Sequence, residues 1–155
     1  MPRLDTNIVM NKLPLKEGCS PVRQKLRRTR LDMSNKTREE VLKQFDAGFL
    51  AVIDYLPWIA NIVSVPKKDD KVCMCVDYQD LNKASPKDDF LLPHTDVLMD
   101  NTTQASVFSF MDGFSSYNQI KMAPEDMEKT TFMTHWGTFC YKVMSFGLKN
   151  VETTY

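Results

Sequence analysis

The chain has 155 residues, 43% of them hydrophobic, enough for one ordinary globular domain with a buried core and too many for a disordered segment. Its 20 basic and 20 acidic side chains cancel, so net charge carries no nucleic-acid signal, yet residues 1–50 hold 11 basic groups against 6 acidic ones. No apolar run reaches 18 residues and no short apolar leader opens the chain, so the expectation is an intracellular protein without a membrane span or membrane partner. Cys73 and Cys75, two apart on a predicted strand, face one side; with no second pair at metal spacing and only His94 and His135 beside them, the four cysteines read as structural thiols.

Residues 1–21 mix Pro, Gly and polar side chains without a period and read as an extended lead-in. Residues 21–30, PVRQKLRRTR, place Arg23, Lys25, Arg27, Arg28 and Arg30 on every face of any helix or strand. Such a segment is either a solvated linker or an arm that contacts phosphates without choosing a sequence. Thr37 and Glu40 form a possible capping box before Val41, Leu42 and Phe45, and Gly48 stands where a helix over 34–47 would end. Short strand-like runs follow at 49–53, 59–65 and 72–78, the last two joined as a hairpin through Lys67, Lys68, Asp69 and Asp70. Residues 79–93, with two prolines and Asp88-Asp89, read as loop, and a solvated loop does not converge carboxylates onto a metal. A helix over 95–101, capped by Thr95, leads to the centre of the chain.

That centre is VFSFMDGFSSYNQI, residues 107–120. An apolar strand-forming run ends in Asp112, Gly113 frees the backbone where the charge sits, and Phe114, Tyr117 and Ile120 share one side of a following helix. Two more strands, 130–134 and 138–144, flank a turn at His135-Trp136-Gly137; Ser145 to Leu148 then turns the chain, and Asn150 can cap a helix beyond it.

Together, MCVDYQDLN, VFSFMDGFSSYNQI and FCYKVMSFGLKN resemble, in order and spacing, reverse transcriptases of gypsy-type LTR retrotransposon Pol polyproteins over almost the whole chain. The resemblance implies an α+β fold, part of the right-hand polymerase fold, with an antiparallel fingers hairpin and an incomplete palm sheet with helices. It divides the chain into a basic extended lead-in (1–33), fingers (34–94) and the N-terminal part of the palm (95–155). The implied activity is RNA-directed DNA polymerisation by two-metal nucleotidyl transfer, with Mg²⁺ as cofactor and an RNA or DNA template-primer and a deoxynucleoside triphosphate as partners.

By the same resemblance Asp112 is the catalytic carboxylate and first metal ligand, and Gly113 lends its carbonyl to the second ion. Tyr117 lies under the sugar, Phe146 and Gly147 line base and sugar, and Lys67 meets the γ-phosphate. The basic residues from Arg23 to Arg30 lead nucleic acid into the fingers, while Asp77 and Asn82 are structural ties. The family's Asp-Asp hairpin follows the FGLKN motif, and these residues stop before it, as though cut from a longer polyprotein; the expectation is a fragment inactive alone that binds Mg²⁺ poorly. Cys73 and Gln79 stand where the family usually has arginines, Ser116 where it has Gly, Leu91 and Ser145 where it has Pro, and Val151-Glu152 where it has two small residues. Losing one charge-assisted contact to a triphosphate costs about 1.5–3 kcal/mol. The competing reading is a non-catalytic nucleic-acid-binding or interaction remnant using the basic arm.

Overall fold

The computed structural model describes residues 9–54, 56–68, 71–89, 94–103, 105–109 and 116–151. Their elements run β1 (Met10–Asn11), α1 (Leu31–Asp46), β2 (Leu50–Val52), β3 (Ala60–Pro66), β4 (Val72–Val76), α2 (Gln79–Ala84), α3 (Thr95–Thr102), a 3₁₀ turn (Ser116–Gln119), β5 (Lys121–Met122), α4 (Pro124–Met127), a second 3₁₀ turn (Glu128–Thr130), β6 (Phe132–Met133) and β7 (Thr138–Tyr141). The class is α+β, as expected. Among the described residues one sheet has the order β2-β7-β6-β3-β4, antiparallel except where β3 meets β6, and β1 pairs with β5 in parallel apart from it.

Helix α1 starts three residues before the expected boundary, and the capping box is not used: Thr37 lies inside the helix, its hydroxyl 2.7 Å from the Met33 carbonyl and 2.6 Å from the Ser64 hydroxyl. Val41, one turn on, is buried with Thr37 against the β3–β4 hairpin. The helix ends where the sequence says it should. Gly48 has φ +75°, its N–H bonds the Phe45 carbonyl and the Phe49 N–H reaches back to Gln44, a Schellman arrangement that closes the last carbonyls.

β3 uses its N-terminal residues Ala60 and Asn61 to pair with β6, and Ile62 to Pro66 to pair with β4, so the hairpin grows out of the sheet and its distal half continues past β6. Pro66 falls opposite Val72, between the hydrogen-bonded pairs, where a missing N–H costs nothing. At the other end β6 and β7 form the second expected hairpin; the Thr134 hydroxyl accepts the N–H groups of Trp136 and Gly137 in the turn.

Three expectations are corrected. Residues 79–84 are helix rather than loop, because Leu81 and Ala84, three apart, are buried and Asn82 between them is bonded to the turn at 147–149. Residues 107–109 form no strand, with Val107 and Phe108 exposed, and among the described residues both edges of β7 are taken, by β2 and β6, while Val143 bridges Lys121. The lead-in is also built into the core: Leu13 is buried, Asn11 pairs with Met122, and Arg23 bridges Ile59. The rest of the expected central strand, residues 110–112, with Gly113 and the expected start of the following helix at 114–115, and the turn residues Asp69 and Asp70 lie outside the described residues.

Among the described residues, Phe132, Ile120, Met144, Val143, Thr130, Thr131 and Cys140 are the largest fully buried side chains, so the core sits where β5, β6 and β7 meet. Threonines are admitted there because their hydroxyls are satisfied: Thr130 Oγ1 donates to the Met127 carbonyl and accepts the Tyr141 N–H, and the Tyr78 hydroxyl donates to the Thr130 carbonyl at 3.0 Å.

Candidate nucleotide and nucleic-acid site

Phe146 and Gly147 form the turn after Val143, and Tyr117 sits in the 3₁₀ turn before Ile120. The Met144 N–H bonds the Ile120 carbonyl and the Ile120 N–H bonds that of Tyr117, so the backbone brings the two turns side by side. Tyr117 and Phe146 consequently stand with ring centroids 6.3 Å apart and planes tilted by 49°. Tyr117 is half-buried against the core, whereas Phe146 is 71% exposed. An apolar ring of that size left open beside a second aromatic is a surface on which a flat or puckered ring can rest.

Gly147 supports this surface from behind. Its φ of +92° is closed to most side chains, although a Cβ would meet only ordinary contacts, the Val76 carbonyl at 3.8 Å and the Tyr78 ring at 3.9 Å. The glycine is therefore needed for its backbone angle more than for space. Asn82 holds the turn in place: its Nδ2 donates to the Gly147 carbonyl at 2.8 Å, and its Oδ1 accepts the Lys149 N–H at 2.8 Å. Asn150, with φ +63°, fastens the same turn to residues 86–88 through the Pro86 carbonyl and the Asp88 N–H.

Lys67 is not part of this cluster. It pairs with Lys71 across the end of the β3–β4 hairpin, whose base at Val76 lies against Gly147. Five strand steps separate Val76 from Lys71, so the tip stands roughly 17 Å away. Asp112 and Gly113 lie outside the described residues. Among the described residues no three His, Cys, Asp or Glu side chains gather as metal ligands, and Asp88-Asp89 does not form such a group.

The basic arm is fastened by polar contacts that composition does not reveal. Gln24 accepts the Asn61 N–H and donates to Asp80 Oδ2, Asn61 Oδ1 accepts the Arg27 N–H, and the Arg27 guanidinium lies 2.7 Å from Asp77. The Gln24 hydrogen bond, with Lys83 beside it, holds the Asp80 carboxyl below its ordinary range. Arg30 reaches Asp32 at 3.4 Å. Arg23, Lys25 and Arg28 are exposed along the same segment. Asp77 ties the end of β4 to the arm through Arg27, and Asn82 ties α2 to the turn at 147–149. Gln24 and Asn61 were not singled out in the sequence; an Asn between apolar residues of a strand was the available signal.

A family model described as "Reverse transcriptase (RNA-dependent DNA polymerase)" matches residues 65–155. An RNA-directed DNA polymerase homolog of Oenothera berteroana is 40% identical over 82 residues, which are 53% of this chain and 58% of that protein. The retrovirus-related Pol polyprotein from transposon gypsy of Drosophila melanogaster is 29% identical over 82 residues, 53% of this chain and 8% of its own length. The crystal structure of a prototype foamy virus protease-reverse transcriptase mutant superposes with a TM-score of 0.70 at 17% identity, covering 86% of this chain and 18% of that one. The likeness is one of fold, the partial right-hand polymerase architecture, and the chain spans less than two thirds of these relatives.

Proposed function

Because this chain belongs to the reverse transcriptase family, we propose that it is a portion of an RNA-directed DNA polymerase of a gypsy-type retrotransposon Pol polyprotein, with the fingers at 34–94 and part of the palm at 95–155. The observation that carries the reading is the Tyr117–Phe146 pair, 6.3 Å apart over a positive-φ glycine. In this reading Tyr117 supports the sugar of the incoming nucleotide and Phe146 with the Gly147 backbone lines its base. Lys67, at the hairpin tip, reaches the γ-phosphate when the hairpin closes, and Asp112 is the acidic group nearest the reacting phosphate. Asp112 and the Gly113 carbonyl are hard oxygen donors of the kind Mg²⁺ takes, and a bound ion supplies charge neutralisation at the phosphates. The arm from Arg23 to Arg30 contributes sequence-independent phosphate contacts to a template-primer.

One carboxylate matching the family's site falls within these 155 residues, so on their own they are proposed not to extend a primer; joined to a downstream Asp-Asp hairpin of the family type they should. The test is primer extension on an RNA template with Mg²⁺ or Mn²⁺, with the chain alone and so extended, each with and without Asp112→Asn. Synthesis that survives Asp112→Asn would place the chemistry elsewhere. Binding without synthesis is the second reading, favoured by the exposed Arg23, Lys25 and Arg28. Its mark is an affinity for RNA or DNA that falls steeply with salt and is weakened by neutralising those three residues.

A further inference from the structure

β4 is an edge strand: among the described residues nothing pairs with its outer side. Lys67 N–H bonds the Lys71 carbonyl and Asp77 N–H bonds the Asn61 carbonyl, and the register between them places the backbone groups of Lys71, Cys73, Cys75 and Asp77 toward β3. Those of Val72, Met74 and Val76 therefore point outward, where among the described residues the Val76 carbonyl takes the Tyr78 N–H. A cleft of about 470 Å³, lined among others by Glu40, Lys71, Cys73 and Met74, lies beside this strand between α1 and the hairpin. An open edge with apolar residues is a template for another strand unless something covers it.

The sequence along that edge is Lys71-Val72-Cys73-Met74-Cys75-Val76-Asp77. It reads the same in both directions for the five central residues and ends in opposite charges. We propose that β4 pairs antiparallel with β4 of a second copy of this chain about a two-fold axis at Met74. Met74 then faces its own counterpart as a hydrogen-bonded pair, and Val72 faces the other copy's Val76, whose N–H it can accept while the Val76 carbonyl stays with the Tyr78 N–H. Cys73 faces the other copy's Cys75 as a non-hydrogen-bonded pair, with Cα atoms about 4.5 Å apart. Lys71 approaches the other copy's Asp77, a carboxylate that already holds Arg27 and the Gln79 N–H and would take Lys71 as a second cation. The Lys71–Asp77 contact occurs twice by symmetry, once at each end of the pairing, so both ends are charge-matched.

The facing cysteines make the contact trappable. Disulfides bridge Cα atoms about 4.4–6.8 Å apart, so the cross-strand pair is within range, whereas Cys73 and Cys75 of one chain, two strand steps apart at about 6.7 Å, sit at its limit. Both thiols are free and half-exposed. With hydrogen peroxide, each bridge forms as two thiols give up two protons and two electrons and one peroxide becomes two waters. Pairing seven residues buries less area than a permanent interface needs. The dimer is accordingly weak when reduced and persistent once bridged.

The experiment uses the full chain in a Cys19→Ser background, because Cys19 is also exposed. Dilute peroxide and non-reducing gels report bridging, sedimentation of the reduced protein reports reversible dimerisation, and circular dichroism checks folding. Every bridge needs one Cys73 and one Cys75, so Cys73→Ser and Cys75→Ser should each abolish the bridged dimer. Mixing the two variants, one carrying a size tag, should restore a bridged species that is only tagged–untagged. Lys71→Glu should weaken reduced dimerisation by roughly threefold to tenfold. A bridged dimer from either single variant alone, a bridged monomer, no bridging in the mixture, or an unaltered dimerisation constant for Lys71→Glu would overturn the pairing.

Discussion

Asn82 closes the junction between α2 and the turn at 145–150 with one side chain, giving a hydrogen bond to the Gly147 carbonyl and taking one from the Lys149 N–H. Asn82→Ala leaves both backbone groups to find water or nothing, at about 1–3 kcal/mol. The expected result is a lower urea midpoint with an unchanged slope; Asn82→Asp, which keeps only the acceptor, should fall between. Gly147→Ala should cost about 1 kcal/mol or more although the space is open, because the penalty lies in φ +92°. Asp126 is the residue whose importance the sequence hid most completely. It is buried, and its two oxygens take the Leu13 N–H at 2.8 Å and the Lys129 ammonium, so it pins the lead-in to α4. Asp126→Ala leaves the buried Leu13 amide unpaired and the Lys129 ammonium with the Leu13 carbonyl as its remaining contact, and should destabilise the fold by about 1–3 kcal/mol, read as a shift of the thermal or urea transition.

Among the elements, α1 owes its end to local chemistry and its beginning to packing. Its termination at Gly48 follows from a left-handed position that glycine fills, and Gly48→Ala should cost about 1 kcal/mol in chemical denaturation. Its start at Leu31 was not legible, since Arg30 supplies no side-chain cap and Thr37 serves the β3–β4 hairpin through Ser64 instead. Helix α2 shows the opposite failure. Its polar, proline-flanked composition reads as loop, yet Leu81 and Ala84 are drawn into the core and Asn82 is held from outside, so tertiary contacts decide the matter. The two hairpins, by contrast, were readable because alternation and turn residues coincide in each.

For the whole molecule, burial of Tyr78 and Tyr141 has a consequence for pH. Burial pushes the Tyr78 hydroxyl well up, with Tyr141 adding to it, and burial likewise raises Tyr141 and the thiol of Cys140. A raised folded-state pKa means stability that is complete below the unfolded value, near 8.5 for Cys and 10 for Tyr, and lost as pH rises from there toward the folded value. Stability should therefore hold up to about pH 8 and then fall, each fully buried group contributing a slope approaching 1.4 kcal/mol per pH unit. Urea midpoints from pH 7 to 11 test this. Tyr78→Phe should lower stability at neutral pH through the lost bond to the Thr130 carbonyl, yet flatten the alkaline decline. Among the described residues, no helix is long and apolar enough to cross a membrane.

What the sequence determined by itself was local or ordered. The motif order carried the family and the α+β class, alternation with turn residues located both hairpins, and Gly48 marked a helix end. Tyr117 and Phe146, 29 positions apart, were named from the resemblance alone, and the fold brings their rings to 6.3 Å. Only the tertiary structure decided which strands neighbour β7, that the lead-in enters the core at Asn11 and Leu13, and that Asp126, Gln24 and Asn61 are tied from a distance. Those features depend on which backbone groups are left unpaired once the hairpins meet. A chain read in one dimension shows the propensity of each segment, whereas the need to satisfy a buried N–H such as that of Leu13 exists only after the segments have packed.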